Sequence, residues 1–346
     1  MKRFSKAQDI KVGVIGYGGA FNMGAHHFRE MQRAGMTPWA VSELDPKRLE
    51  VAKKDFPGIE TYTSVADMLK KSDVNLITII TPHNTHAKLA VQCLKAGKHV
   101  VCEKPLAITT EECDTMIKTA KAKKLMISTY HNRHWDGFIM QAVKASKSGA
   151  IGDVFRVEAH MGGYSKPGDW WRSSKTISGG ILYDWGVHLL EYSLQLIDSE
   201  ITEVTGFSHC GYWSKQCVWK KDTIEDEGYA VVRFKNGAWL TLTLTQLDAY
   251  PKGQDRGMLE ITGTKGTYIM NFDQWQIIKP DGDKTVVTKG KNPEGESWRF
   301  YQNVADHLVK GTPLVITGEW ARRPIHIIDL ACVSAKKGTA IKAKYA

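Results

Sequence analysis

Several features are missing from this chain, and each absence narrows its class. No stretch of its 346 residues approaches the ~18 uninterrupted apolar residues of a membrane span. The start, Met1-Lys2-Arg3-Phe4-Ser5-Lys6, runs through Asp9 directly into a strand. No apolar core with a small-residue cleavage site follows, so no signal peptide is read and a cytoplasmic setting is expected. The six cysteines (93, 102, 113, 210, 217 and 332) show no CxxC spacing and no disulfide-framework density. Cys93, Cys102 and Cys332 sit in apolar runs, where cysteine acts as a small hydrophobe, so a reduced, metal-free protein is the expectation. A net charge of +10 raises nucleic acid as a partner, but the lysines scatter over helix surfaces (Lys118, Lys121, Lys123, Lys124) and the C-terminus (Lys336, Lys337, Lys342, Lys344). No recognised DNA- or RNA-binding motif accompanies them, so neither a nucleic acid nor a membrane is expected as partner. Attraction for an anionic cofactor is the simpler account of the charge.

What is present is an ordinary globular composition, 42% hydrophobic and 24% charged, at a length suited to two domains. Residues 1–131 read as a doubly wound parallel domain of six βα alternations. The first strand, Lys11-Val12-Gly13-Val14-Ile15, closes on Gly16-Tyr17-Gly18-Gly19-Ala20-Phe21-Asn22-Met23-Gly24, and a helix follows from about Ala25 to Arg33. A glycine-rich turn between strand and helix suits a pyrophosphate, because the chain can approach closely and the helix start offers free N–H groups. Gly16 and Gly18 fit the first two positions of GxGxxG, but Phe21 stands at the third and the next glycine is Gly24. The turn is therefore read as expanded, with Gly16, Gly18, Gly19, Ala20, Phe21, Asn22 and Met23 around the phosphates. Such a turn also occurs for purely structural reasons.

The second strand, Pro38–Glu43, ends on an acid 27 residues after Gly16. An acid there bonds the adenosine ribose hydroxyls and repels a 2′-phosphate, so Glu43 favours NAD over NADP. Lys47 and Arg48, which read as a solvated helix start, are also within reach of a phosphate. Strands at Ile59–Thr63 and Asn75–Ile80 follow, the latter ending in Thr81-Pro82-His83-Asn84-Thr85-His86. His83 and His86 suggest a metal, but no cysteine or carboxylate cluster joins them. A polar strand end facing the nicotinamide half is the better fit, with Thr81, Pro82, Asn84 and His86 as cofactor contacts. The stretch His99-Val100-Val101-Cys102-Glu103-Lys104-Pro105 is the one around which the chain is organised: a buried strand ending in an acid, a lysine and a proline. Ligands collect beyond the carboxyl ends of such strands, so Glu103 and Lys104 point at a site. The proline stops the ladder, and only an X–Pro bond adopts the cis form cheaply. A helix (Glu111–Lys123) and a sixth strand (Leu125–Tyr130) close the domain.

From Ile151 the pattern changes. Alternating runs at Asp153–His160, Glu203–His209, Tyr229–Phe234, Trp239–Thr245, Leu259–Thr262 and Thr267–Phe272 are separated by Gly- and Asn-containing turns. Residues 132–346 thus form an α+β domain with a large, open, mostly antiparallel sheet, whose closing helices (about Trp298–Lys310 and Glu319–Lys336) are placed to return toward the first domain. Within it lies Ser178-Gly179-Gly180-Ile181-Leu182-Tyr183-Asp184-Trp185-Gly186-Val187-His188, where two glycines open a helix marked by Leu182, Val187, Leu189, Leu190 and Leu194. Asp184 and His188 are i, i+4 and so share one face, where a carboxylate orients an imidazole and tunes its pKa. The plainer alternative is a surface ion pair. The 11 tryptophans include Trp170 and Trp171, which with Arg172 are candidate walls for a sugar ring, and equally candidates for core or interface packing.

Taken together, the glycine turn, Thr81-Pro82 with Asn84 and His86, Glu103-Lys104-Pro105, and Gly179-Gly180 followed by Asp184 and His188 resemble the Gfo/Idh/MocA family, the glucose–fructose oxidoreductases, inositol dehydrogenases and their relatives. The likeness runs from Lys11 to about Lys342. It implies a Rossmann domain followed by an α/β domain whose open sheet forms the substrate floor and the oligomer interface of a homodimer or homotetramer. By that resemblance Lys104 orients the substrate hydroxyl and lowers its proton affinity, His188 is the acid/base supported by Asp184, and Glu43 sits on the adenosine ribose. Tyr130, Arg133, Trp171, Arg172 and Trp185 complete the set as substrate residues.

The implied activity is a NAD-dependent oxidoreductase acting on a secondary alcohol of a sugar, sugar derivative or cyclitol. A redox-neutral NAD-dependent glycosidase or lyase, working through a transient keto-sugar, uses the same residues, and the sequence does not separate the two.

Overall fold

The computed structural model describes residues 4–19, 21–249 and 257–345. The chain divides into two compact units, one comprising Met1–Asn132 with Trp298–Arg322 and the other Arg133–Ser297 with Arg323–Ala346.

The first unit is a βα alternation: β1 (Lys11–Ile15), α1 (Met23–Arg33), β2 (Thr37–Ser42), α2 (Pro46–Asp55), β3 (Glu60–Tyr62), α3 (Val65–Lys71), β4 (Leu76–Ile79), α4 (His86–Lys95), β5 (His99–Cys102), α5 (Thr110–Lys123) and β6 (Ile127–Thr129). Its six strands pair in parallel in the order β3-β2-β1-β4-β5-β6. Strands β4 and β5 are buried throughout, which is why their sequences run apolar without alternation. The helices start where the sequence supplies a cap. Asp45 accepts the Lys47 N–H before α2, with Pro46 in the first turn, and Thr109 and Glu112 close a capping box before α5.

The strand order reverses between β1 and β4, which makes that junction the switch point of the sheet. In-register pairing sets Ile15 opposite Ser42 and Ile79, and Ile79 opposite Cys102. The residues that follow these four, Glu43, Gly16, Thr81 and Glu103-Lys104, therefore leave one edge of the sheet side by side.

The second unit holds α6 (Gly137–Lys147), β7 (Val154–Gly162), α7 (Lys175–Ser178), α8 (Gly186–Leu194), β8 (Ile201–His209), β9 (Glu227–Phe234), β10 (Trp239–Thr245), β11 (Leu259–Gly263), β12 (Gly266–Met270), β13 (Gln274–Asp281) and β14 (Lys284–Lys291). The chain ends with α9 (Arg299–Lys310), which belongs to the first unit, then α10 (Gly318–Lys337) and β15 (Ile341–Lys342). The nine-stranded sheet has the order β14-β13-β12-β11-β7-β10-β9-β8-β15 and is antiparallel except for the β7–β10 pair. The hairpin β13–β14 and the short β15 lie outside the strands read from the sequence. Leu240, Leu242 and Leu244 of β10 alternate onto the buried face, and every residue of α8 is buried. Gly186 makes that close approach possible: a Cβ there would sit 3.3 Å from Leu242.

Candidate active site

One cluster of candidate residues is built on the sheet edge of the first unit. Gly16 has φ +94, and a Cβ on it would lie 2.6 Å from the Ile80 carbonyl oxygen, so only glycine fits. A Cβ on Gly18 would meet nothing within 4 Å, which leaves a bare backbone facing open space. Asn22 takes the left-handed conformation at φ 51 and α1 begins at Met23, two residues earlier than the sequence suggested. Gly24 is the packing glycine: a Cβ there would come within 2.4 Å of the buried Tyr17 ring. The turn is thus expanded, with Tyr17 as its floor and the exposed Phe21 on its outside. Ala20, also expected at the phosphates, lies outside the described residues.

Glu43 closes this turn from the side. Its Oε2 accepts the Tyr17 N–H at 2.6 Å, and its Oε1 accepts the Leu44 and Asp45 N–H groups at 2.7 and 3.1 Å. Arg48 Nε donates to the Tyr17 carbonyl at 2.8 Å, and its guanidinium lies 3.3 Å from where a Gly19 Cβ would stand. A carboxylate and a guanidinium therefore flank the same turn. The open glycine backbone, the start of α1 and the acid at the end of β2 together form a cradle that fits a dinucleotide.

Further along the edge, Thr81 and Thr85 bond through their hydroxyls at 2.6 Å, and Asn84 is exposed. His86 is fully buried, with its ring nitrogens 2.8 Å from the carbonyl oxygens of Pro105 and Thr81. Burial holds its pKa below the usual histidine value, outweighing those two carbonyls. It ties the Thr81 strand end to the Pro105 turn. The Lys104–Pro105 bond is cis. Glu103 accepts the Lys104 N–H at 2.9 Å and lies 2.9 Å from His27 Nε2. Burial by itself raises the Glu103 pKa, but the His27 hydrogen bond and charge, with Lys104 beside it, bring it below the usual carboxylate value. Tyr130 needs correction. Expected against the substrate, it is 2% exposed, bonds His26 Nε2 through its hydroxyl at 3.0 Å, and stacks on Tyr301. A position just past β6 with apolar neighbours on α9 makes it a core residue of the first unit.

A separate cluster of candidate residues lies within the second unit. His188 lies on α8, 5% exposed, with its ring centroid 5.4 Å from that of Trp185 and 6.3 Å from that of Tyr192. The Tyr192 hydroxyl bonds Asp136 at 3.4 Å, Asp136 pairs with Arg133 at 2.9 Å, and the Arg133 guanidinium lies 4.9 Å from the Trp185 ring centroid. Burial pushes the Asp136 carboxyl up, Arg133 notwithstanding. Arg133, Trp185 and His188 thus form one cluster, with Arg133 from the segment ahead of α6, Trp185 just ahead of α8 and His188 on it. Asp184 differs from expectation. The helix begins only at Gly186, and Asp184, at φ −86 and ψ −81, follows a single turn of 3-10 helix, so it shares no helical face with His188. Its carboxylate takes the Arg172 guanidinium at 2.6 Å, and Arg172 lies 5.2 and 5.3 Å from the ring centroids of Trp170 and Trp171.

Sequence reasoning passed over the residues that hold these groups in place. His27, Tyr301 and Asp136 belong here, as do Glu225, which pairs with Lys175 and accepts the Ile181 N–H at 3.0 Å, and Asp226, which accepts the Tyr212 and Trp213 N–H groups. The consecutive acids Glu225-Asp226 ahead of a strand were the available signal.

A Rossmann sheet carrying a phosphate cradle, together with a second unit that holds a buried histidine among aromatic rings, is the make-up of the class of nicotinamide-dependent oxidoreductases. Sequence comparison places the chain within it. Residues 10–131 match the family profile described as "Oxidoreductase family, NAD-binding Rossmann fold", and residues 139–269 match the GFO/IDH/MocA C-terminal domain. The chain belongs to the Gfo/Idh/MocA oxidoreductase family. It is similar to scyllo-inositol 2-dehydrogenase (NADP(+)) IolW of Bacillus subtilis, 24% identical with 97% of each chain covered. It is also similar to myo-inositol 2-dehydrogenase of Thermotoga maritima, 27% identical with 80% of each chain covered. Among solved structures, a levoglucosan dehydrogenase in complex with NADH and levoglucosan superposes with a TM-score of 0.82 at 22% identity, over 97% of this chain and 99% of that one, a likeness of fold. Among the described residues no helix is long and apolar enough to cross a membrane.

Proposed function

We propose that this oxidoreductase is a dehydrogenase that oxidises a secondary alcohol of a sugar, sugar derivative or cyclitol with NAD⁺. The observation that carries the reading is the single sheet edge on which Glu43, the Gly16 turn, Thr81 and Lys104 emerge side by side. One extended dinucleotide can lie along that edge with its adenosine end at Glu43 and its reactive end toward Lys104. When bound, the nicotinamide supplies the hydride acceptor. Lys104 holds the substrate hydroxyl and lowers its proton affinity, and His188 takes the proton. Asp184 and Arg172 hold the loop ahead of His188, while Arg133, Trp171 and Trp185 offer a cation and flat apolar faces to a polyol ring. Relatives named for inositols support this substrate class.

Glu43 supports NAD over NADP, because an ionised acid beside the ribose repels a 2′-phosphate. Arg48, two turns of chain away and close to Gly19, provides the positive charge through which NADP⁺ is used more weakly. The uncovered face of the larger sheet, carrying Phe207 at 59% and Trp239 at 36% exposure, is the surface we assign to a homodimer or homotetramer.

The test mixes protein with NAD⁺ or NADP⁺ and a panel of free sugars, cyclitols and aryl glycosides, following reduced nicotinamide and released aglycone together. The reading predicts steady accumulation of NADH with a free sugar or cyclitol, and faster turnover with NAD⁺ than with NADP⁺. Aglycone release without NADH accumulation would overturn it in favour of redox-neutral chemistry. NAD⁺ binding with silence in both channels would overturn the substrate class.

A further inference from the structure

Beneath the Lys104 strand end runs a buried hydrogen-bonded chain that the chemistry above does not use. Glu103 Oε2 accepts the backbone N–H of Lys104, and Glu103 Oε1 lies 2.9 Å from His27 Nε2. His27 Nδ1 lies 2.6 Å from the Tyr301 hydroxyl, which is 3.5 Å from Thr78 Oγ1. His27 is 0% and Tyr301 1% exposed, and the His27 ring also packs against Tyr130 at 4.3 Å. The links come from α1, the end of β5, α9 and β4, all within the first unit.

An apolar core would fill this space at lower cost, because each polar group taken from water must recover its hydrogen bonds inside. The chain recovers them in one direction. An ionised Glu103 only accepts, so His27 Nε2 carries a proton and donates to it, while His27 Nδ1 meets the Tyr301 hydroxyl. The result is a carboxylate held at two points, by the His27 ring and by the peptide of Lys104.

We propose that His27 is a positioning residue for Lys104, acting through Glu103: the ring fixes the carboxylate that receives the Lys104 N–H, and so fixes the direction in which the lysine leaves the strand. This rests on the reading of Lys104 as the catalytic lysine. The Lys104 ammonium stands at the end of a four-carbon stem, so a small tilt of the 103–104 peptide displaces it by more than the backbone itself moves. A misplacement of ~1 Å at a reacting group costs up to ~100-fold in rate. His27 lies on the helix that begins at the phosphate turn, so a single element sets both the cofactor cradle and, through Glu103, the lysine.

The test separates the two ends of the ring. In His27→Asn the side-chain amide, with both a donor and an acceptor, stands in for Nδ1, which keeps a partner for Tyr301 and removes the donor to Glu103. In His27→Gln the amide nitrogen replaces Nε2 and restores that donor. The proposal predicts that His27→Asn lowers kcat by roughly 10- to 100-fold with KM for NAD⁺ changed less than about twofold, and that His27→Gln recovers most of the loss. Tyr301→Phe, which removes one oxygen, lowers kcat by less than His27→Asn and serves as the readout if the latter does not fold. Equal turnover in the Asn and Gln variants, or a loss carried by KM for NAD⁺, would overturn the proposal. Lys104→Met distinguishes the two levels. If it keeps full turnover, the catalytic reading fails and takes this inference with it; if it is inactive while His27→Asn turns over like the parent, the inference alone fails.

Discussion

The two units hold their functional groups by different means. In the first, Glu43, Gly16, Thr81 and Lys104 are placed by the register of four neighbouring parallel strands, so backbone hydrogen bonds fix their spacing. In the second, Asp184 and the aromatic segments before it lie between strands, and charged side chains hold them: Arg172 on Asp184, Lys175 on Glu225, and Asp222 on Ser174 and Thr176. A site fixed by backbone fails abruptly when a methyl group does not fit. A site fixed by partly exposed ion pairs loses function by degrees.

The sharpest way to break this contrast is at the phosphate turn. Gly16→Ala meets a positive φ and a carbonyl at 2.6 Å, a strain of about 1–3 kcal/mol before any clash is counted. It is expected to lower the melting temperature and to abolish NAD⁺ binding in a titration. Gly18→Ala finds open space, so it keeps the melting temperature but loses NAD⁺ affinity, because the added methyl stands where the phosphate approaches. If both variants bind NAD⁺ like the parent, the turn is not the cradle.

A smaller effect is expected in the second unit. Arg172→Met frees Asp184 and removes the cation beside Trp170 and Trp171. The pair is partly exposed, with side chains 22% and 36% accessible, so the melting temperature should move little, in line with about 0–1 kcal/mol for such bridges. KM for the sugar or cyclitol should rise several-fold while NAD⁺ affinity stays at the parent value. A fall in NAD⁺ affinity instead would mean that the two sets of residues are not functionally separate.

The same contrast explains what could be read from the sequence. Strands β1, β2, β4 and β5 were legible because buried strands run apolar and their ends carry Gly16, Glu43, Pro82 and Glu103, whose conformational roles are local. The cis Lys104–Pro105 bond and the expanded turn were likewise local. Asp184 was misread because Leu182 and Val187 continue a helical period across residues whose backbone is not helical; Gly186, packed under Leu242 and Leu244, sets the true start. Tyr130 was misread because its burial depends on Phe300 and Tyr301, about 170 residues further along the sequence. The hairpin β13–β14 alternates weakly, since β14 is exposed on both faces apart from Gly290. His27 carried no signal at all, since its partners Glu103 and Tyr301 are joined to it only by the fold.

The central claim is that the first unit binds the cofactor through its backbone while Lys104 serves the chemistry. The most direct measurement compares NAD⁺ affinity and turnover in Lys104→Met on whichever alcohol the parent oxidises. The account predicts NAD⁺ binding within a few-fold of the parent and turnover lower by about 100- to 10,000-fold, the range for loss of a positioned proton-handling group. Turnover at the parent rate, with NAD⁺ still bound, would contradict it.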